Sequence, residues 1–355
     1  MERLSEKEWS TGIIGDVFSV SGTTTTHPSK LIANGSTPRI TCASVNNGLD
    51  SCYRNEPTEK GGVLTVDSAT VGTVLFQPSD FIATDHVEKI SGNKSFGEAE
   101  GLFIKTCIDI SVAGKYQYGY KFSQNRVKRQ KLMLPIDDKG NPDYAYMTLY
   151  STEVRGGMLM RYKNFIAGQL SQLEYKEIPA LNEKEWGHFL IPDVFSGIQR
   201  GKRLKNADHV PGVIPYVSST ANNNGVDDYV KATAGTRSFS DCISLANSGS
   251  VGTAFYEPFE FVASDHVTSL KREGTSKFVY LFLVTTIERQ GSNFNFNREI
   301  NDARIKKMQV MLPVTDAGKP DYNYMEQYAK NMMLRKYEQY LAFIDRQSAG
   351  EEVTL

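Results

Sequence analysis

Leu134-Pro135-Ile136-Asp137-Asp138-Lys139-Gly140-Asn141-Pro142-Asp143-Tyr144 returns 178 residues later (312 − 134) as Leu312-Pro313-Val314-Thr315-Asp316-Ala317-Gly318-Lys319-Pro320-Asp321-Tyr322. In each copy a short apolar run, Leu132-Met133-Leu134 or Val310-Met311-Leu312, gives way to turn residues and then to a proline followed by an acid. Proline and an acidic residue in a first turn mark a helix start. The stretch is therefore a junction where a β-rich body closes and a helix begins. Downstream, Met325, Tyr328, Met332, Lys336, Tyr340 and Phe343-Ile344 step by three or four residues, in phase with Met147, Tyr150, Val154, Met158, Tyr162 and Phe165-Ile166. That spacing predicts two amphipathic helices of about 25 residues, roughly 38 Å each at 1.5 Å per residue. Gly156-Gly157 weakens the first by about 1 kcal/mol per glycine and marks a site for a kink.

Upstream of the junction the doubling continues. Trp9 recurs as Trp186 and Asp16-Val17-Phe18 as Asp193-Val194-Phe195, while Asn46-Asn47-Gly48 recurs as Asn223-Asn224-Gly225 and Asp85-His86-Val87 as Asp265-His266-Val267. Short runs bounded by turn residues, such as Pro38-Arg39-Ile40-Thr41 and Val213-Ile214-Pro215-Tyr216-Val217, read as strands, as do 71–76 and 251–256 with Pro78 and Pro258 after them. The predicted class is α+β: two mainly β domains in pseudo-two-fold repeat, separated by two long antiparallel coiled-coil-like helices. A chain of 355 residues agrees with two domains, each able to bury a core.

Composition narrows the function classes. The chain is 40% apolar and 23% charged, has no spanning apolar run and begins without a signal-peptide stretch, so a soluble cytoplasmic protein with no membrane contact is expected. Cys42, Cys52, Cys107 and Cys242 lack metal-site spacing and read as reduced thiols. With 40 Lys+Arg against 41 Asp+Glu, any nucleic-acid site must come from local clustering. Clusters exist. The loop after the first short element is threonine-rich in one copy (21–28), whereas in the other it is basic, with Arg200, Lys202 and Arg203.

The order of variable domain, helix, variable domain, helix, together with the Asn-Asn-Gly turns, the Val-Gly-Thr strands with their following Asp-His-Val, and the doubled junction, resembles the specificity subunits of type I restriction-modification systems and the related type IIB recognition subunits. The likeness covers nearly the whole chain. It implies a first target-recognition domain at 1–141, a first spacer helix at 142–178, a second target-recognition domain at 179–319, and a second helix and tail at 320–355. It further implies that each domain reads one half of a split double-stranded DNA target, and that methyltransferase or fused methyltransferase-endonuclease subunits dock on the helices.

Two segments per copy are candidates for the DNA surface, since Asn and Gln pair with adenine, Arg and Lys with guanine or phosphate, and hydroxyls with many base edges. The first holds Thr41, Ser44 and Asn46, matched by Ser219, Thr220, Asn222 and Asn223. The competing view is that Asn47-Gly48 and Asn224-Gly225 only supply positive φ angles. The second holds Lys115, Gln117, Lys121, Gln124 and Arg126, with Arg289, Gln290, Asn293, Asn295, Arg298 and Arg304 in the other copy. Its alternating aromatics fit equally one buried face of a strand. The Asp-His pairs are read as structural, because sequence neighbours on a strand point to opposite faces. Pro142-Asp143 with Glu174-Tyr175-Lys176 resembles a magnesium nuclease pattern, but the second copy lacks its latter half. No Asn-Pro-Pro-Tyr tetrapeptide or glycine-rich cofactor loop is present, so neither catalysis nor a cofactor is expected. A protein- or carbohydrate-binding module and a lone nuclease stand as the alternatives.

Overall fold

The computed structural model describes residues 2–69, 72–291, 294 and 297–348. The chain divides into two units, Met1–Tyr162 and Lys163–Leu355. The first contains β1 (Trp9–Ile13), α1 (Ile14–Val17), β2 (Ser19–Gly22), β3 (Ala33–Ile40), β4 (Leu49–Tyr53), β5 (Val63–Asp67), β6 (Val74–Gln77), β7 (Ile82–Ala83), β8 (Val87–Ser91), α2 (Glu98–Val112), α3 (Gln124–Arg129) and β9 (Lys131–Pro135), followed by the start of α4 (Tyr144–Leu170). In the second lie β10 (Trp186–Leu190), α5 (Ile191–Val194), β11 (Gly197–Arg200), β12 (Pro211–Val217), β13 (Val226–Val230), β14 (Ser238–Phe239), β15 (Cys242–Ala246), β16 (Ala254–Glu257), β17 (Phe261–Ala263), β18 (Val267–Lys271), α6 (Lys277–Gly291), α7 (Asp302–Ile305), β19 (Gln309–Pro313) and α8 (Tyr322–Ser348).

The topology repeats with the sequence. A four-stranded sheet runs β2-β8-β5-β6 in one unit and β11-β18-β15-β16 in the other, faced by a second sheet of three strands, β4-β3-β7, in the first and of four, β13-β12-β17-β14, in the second. The middle strand β5 is buried at every residue, because it is covered on both faces. Leu64, Val66, Val74, Phe76 and Ile90 meet Phe103, Ile104 and Ile108 of α2. On the other face Val63 and Val87 meet Ile40 and Ala83 of the three-stranded sheet and Phe81 just before β7. Thr65 and Gln77 share that second face and form a buried polar layer between the sheets; Ser244, Glu257 and Ser269 form its counterpart.

Each body is closed onto its helix by the same set of contacts. β1 pairs with β9 through Trp9↔Pro135, and β10 with β19 through Trp186↔Pro313. Trp9 Nε1 donates to the Leu4 carbonyl and Trp186 Nε1 to that of Leu181, at 3.0 and 2.9 Å. Stacked on these indoles are Phe103 and Phe282. Lys7 pairs with Asp143 at 2.8 Å and Lys184 with Asp321 at 2.7 Å, and each aspartate also accepts from a backbone N–H in the first turn of its helix, that of Tyr146 or Tyr324.

Several sequence-based expectations need correction. The runs 71–76 and 251–256 are strands only from Val74 and Ala254; Val71 lies outside the described residues, and Gly252 turns the chain before β16 with φ of +87°. Residues 115–123 do not form an alternating strand: they turn tightly, with Gln117 bridged to Tyr120, and lead into α3. Besides the short α1, α3, α5 and α7, two 15-residue helices, α2 and α6, escaped the reading altogether. The buried Ile104, Ile108 and Val112 of α2 step by four, and that spacing was the available signal. The first long helix ends at Leu170, short of 178, and continues as helix through Gly156-Gly157.

Candidate nucleic-acid interface

Strand direction decides which loops meet. The C-terminal ends of β2, β3 and β5 and the N-terminal ends of β6 and β8 lie together, tied by Thr41 N–H donating to the Gly48 carbonyl, Thr84 N–H to that of Ile40, and Ser68 N–H to that of His86. In the second unit the same edge is tied by Ser218 N–H to the Gly225 carbonyl, Ser250 N–H to that of Ser219, Asn247 N–H to that of His266, and Ile300 N–H to that of Asn247. Each domain thus gathers, at one edge, the Asn-Asn-Gly turn, the Asp-His turn and the segment entering α3 or α7.

The Asn-Asn-Gly turns adopt left-handed backbone, with φ of 50°, 51° and 75° at Asn46, Asn47 and Gly48, and 49°, 51° and 77° at Asn223, Asn224 and Gly225. Asparagine and glycine tolerate this region best, so the local conformational role is real. It leaves Ser44, Asn46, Asn222 and Asn223 exposed. Thr41 and Thr220 are partly occupied, their hydroxyls accepting from the N–H groups of Ala43 and Asn222. Ser219 sits against Gly249 and is half-buried.

In the first unit the basic-aromatic segment folds around a ring stack. Tyr116 lies on Phe122 at 4.4 Å between centroids and on Tyr120 at 5.6 Å, with Phe122 fully buried under Gly72. The Arg126 guanidinium covers the Tyr120 ring at 3.8 Å and donates to the Lys121 carbonyl at 2.6 Å. Arg304 repeats the second contact, donating to the Glu299 carbonyl at 2.6 Å. Lys121 lies over Tyr118, and Gln124 donates to Glu88 at 2.7 Å. Lys115 and Gln117 are exposed.

At the second unit's edge Arg200 approaches Asp302 at 3.8 Å, which brings the basic loop beside α7. Lys202 and Arg203 are exposed, as are Arg298, whose guanidinium lies 5.7 Å from the Phe294 ring, and Arg304. Arg237, which the sequence reading did not select, donates to the Arg200 carbonyl at 2.5 Å and joins this basic group. Arg289 and Gln290 lie in the last turn of α6, next to Glu288, which accepts from the Ala254 N–H at the start of β16. Asn293 and Asn295 lie outside the described residues.

The chemistry of the remaining candidates is quiet. His86 and His266 use their backbone carbonyls to tie the edge, as given above, and the His266 ring meets Ser248 Oγ at 2.5 Å. Burial pushes the Cys42 thiol up to about 12 and those of Cys107 and Cys242 to about 11, so all three are protonated near neutral pH. Asp143 is taken up by Lys7 and the helix cap, while Glu174 pairs with Lys176 on an exposed segment. Among the described residues no cluster of His, Cys, Asp and Glu is arranged to hold a metal.

Similarity to known proteins agrees with this geometry. The family model of the type I restriction modification DNA specificity domain matches twice, at residues 6–154 and 183–340. The chain is 30% identical over 333 residues to the type II restriction enzyme BgcI specificity subunit of Heyndrickxia coagulans, covering 92% of this chain and 94% of that one. In fold it is similar to the S subunit of a type I restriction-modification system from M. genitalium, with a TM-score of 0.53 at 10% identity, covering 98% and 96% of the two chains. Two family matches, each holding one polar edge, remove the carbohydrate-module and lone-nuclease alternatives: the chain belongs to the restriction-modification DNA specificity family and is a non-catalytic specificity subunit with two recognition domains.

Proposed function

We propose that the chain reads an asymmetric, bipartite double-stranded DNA target, one half-site at the edge of each domain, and directs methyltransferase or fused methyltransferase-endonuclease subunits to it in the cytoplasm. One observation carries the reading. The strand frame and its ties repeat between the units, whereas the residues presented at the edge beside the shared Asn-Asn-Gly turn differ: Ser44, Lys115 and Gln117 in one, Lys202, Arg203 and Asn222 in the other. Phosphate contacts position such a protein and base-edge contacts specify it, so a constant frame with unlike edges reads two unlike half-sites. No helix is long and apolar enough to cross a membrane, among the described residues.

Partner subunits have an apolar surface to use. In the second unit a groove of about 800 Å³ is lined by Trp186, Phe282, Met311, Tyr328, Met332 and Met333. In the first unit the matching face leaves Leu102, Met133 and Met158 exposed at 41%, 55% and 58%. Exposed apolar patches of this kind mark protein contacts, and we assign them, with α4 and α8 as spacers, to the catalytic partners. Selection from a random duplex library by the chain with its partner subunit tests the reading. Enrichment of one split, non-palindromic sequence is expected; binding that is undetectable, or indifferent to salt, would overturn it.

A further inference from the structure

Gln77 and Glu257 hold the same place in the repeat, at the C-terminal ends of β6 and β16, behind the two Asn-Asn-Gly turns. Both are buried, at 3% and 0% exposure. In the first domain the amide is used on both sides. Its Nε2 donates to Thr65 Oγ1 at 3.0 Å and to the Asn47 carbonyl at 3.3 Å, while Asn47 Nδ2 donates back to Gln77 Oε1 at 3.4 Å and to the Phe76 carbonyl at 2.9 Å. The turn is thereby seated against β6. In the second domain Ser244 Oγ donates to Glu257 Oε1 at 2.9 Å, and Glu257 Oε2 is buried with no hydrogen-bond partner.

Among the described residues no cation is paired with the Glu257 carboxyl. Cys242 stands opposite Glu257 on β15, a buried thiol that Ser269 Oγ approaches at 3.2 Å. Asp241 and Lys271 pair with each other at 3.2 Å, and Tyr256 donates to Asp241. Glu288 of α6 accepts from the Ala254 N–H at the far end of β16. Beyond the turn, Asp228 is held by His209, with Asp227 beside it. A charged carboxylate buried with one bare oxygen is costly, whereas a carboxylic acid has nearly the shape of the glutamine amide and, like it, one donor arm. Burial accordingly pushes the Glu257 carboxyl up to about 7, against the opposing hydrogen bond from Ser244.

We infer that Gln77 and Glu257 are equivalent positioning residues for the two Asn-Asn-Gly turns, and that the second turn is seated only while Glu257 carries its proton, its O–H donating to the Asn224 carbonyl as Gln77 Nε2 donates to that of Asn47. The residue that seats the first turn then carries no proton to lose near neutrality, and the residue that seats the second does. Because the proton is bound more tightly in the folded state, the seating is complete at pH below the ordinary glutamate range and is lost as pH rises through the folded value. The consequence for DNA rests on the function proposed above; the seating itself does not.

Hydrogen exchange of the full chain without DNA tests the seating, so its outcome is separate from that of the library selection. The reporters are peptides covering 41–49 and 218–226, with exchange expressed as protection factors to remove the intrinsic effect of pH. Between about pH 5.5 and about pH 7.5 the protection of 218–226 should fall on the order of tenfold, since one pH unit of linkage is a factor of ten, while that of 41–49 stays level. Glu257→Gln should level the second peptide, and Gln77→Glu should give the first peptide the same slope. A level 218–226 in the unaltered chain, or a slope that survives in Glu257→Gln, overturns the inference. Should Glu257→Gln not fold, Gln77→Glu decides: a pH slope in 41–49 supports the equivalence and a level response overturns it.

Discussion

Asp143 uses its two oxygens for two purposes: Oδ1 accepts the Tyr146 N–H and Oδ2 meets Lys7. The hydrogen bond from Lys7 holds its carboxyl below the usual carboxylate range, with burial opposing. A lowered value means that this contribution is present above the ordinary aspartate range and is lost as pH falls through the lowered one. Asp143→Ala should therefore destabilise the first unit by about 1 kcal/mol through loss of the cap. Asp143→Asn should retain most of the cap while weakening the response to acid; denaturant midpoints measured from neutral to acid pH check both. The sequence showed Asp143 as a first-turn acid, because that signal is local. It could not show Lys7, which lies 136 residues away. The same contrast runs through the candidate edge. The positive φ of the Asn-Asn-Gly turns was legible from three adjacent residues, whereas the folding of Tyr116, Phe122 and Arg126 into one ring stack depends on the buried Gly72 and Val127 around them.

Between the two copies, elements conserve their contacts while exchanging volume. Gly101 of α2 lets the helix approach Phe76 so closely that a Cβ there would stand 2.5 Å from the ring. At the matching place in α6, Tyr280 is fully buried and stacks on Tyr256 at 5.0 Å. The second copy thus holds two stacked rings where the first holds one ring against a glycine. Gly101→Ala should cost about 1–3 kcal/mol by overpacking, despite the better helix propensity of alanine. On α4, a Cβ at Gly156 or Gly157 meets nothing within 4 Å. Alanine at either should there stabilise by about 1 kcal/mol. Guanidinium unfolding of the four chains compares the two signs directly. The long helices were readable because an apolar stripe repeats over many turns; α2 and α6, at 15 residues, offered a shorter stripe within a body already read as β.

Across the whole molecule, near-neutral charge conceals a basic edge. Arg200, Lys202, Arg203, Arg237, Arg298 and Arg304 belong to one domain whose carboxylates at that edge include Asp302, already facing Arg200. Lys202→Ala and Arg203→Ala should each weaken binding of the partner-bound complex across DNA sequences and reduce the slope of log K against log salt by about 1, as expected for removal of a phosphate contact. A filter-binding titration at several salt concentrations measures it; an unchanged slope would place these residues off the DNA. The doubled architecture and the location of the turns were legible because core positions repeat. Which side chains reach outward was not, since the edge loops are under no constraint to match.

The pairing of Lys7 with Asp143 and of Lys184 with Asp321 has a further meaning for how such a molecule changes. Each domain is entered and left at one doorway, with the first residues of the body clasped to the first turn of its own helix. Whatever happens to the chain inside that doorway, its two ends emerge side by side. A body of this kind behaves as a cassette: it can be copied in tandem, or have its interior loops replaced, and still hand the chain onward from the same place. The second copy arrived with its own clasp already closed, free to acquire a different edge.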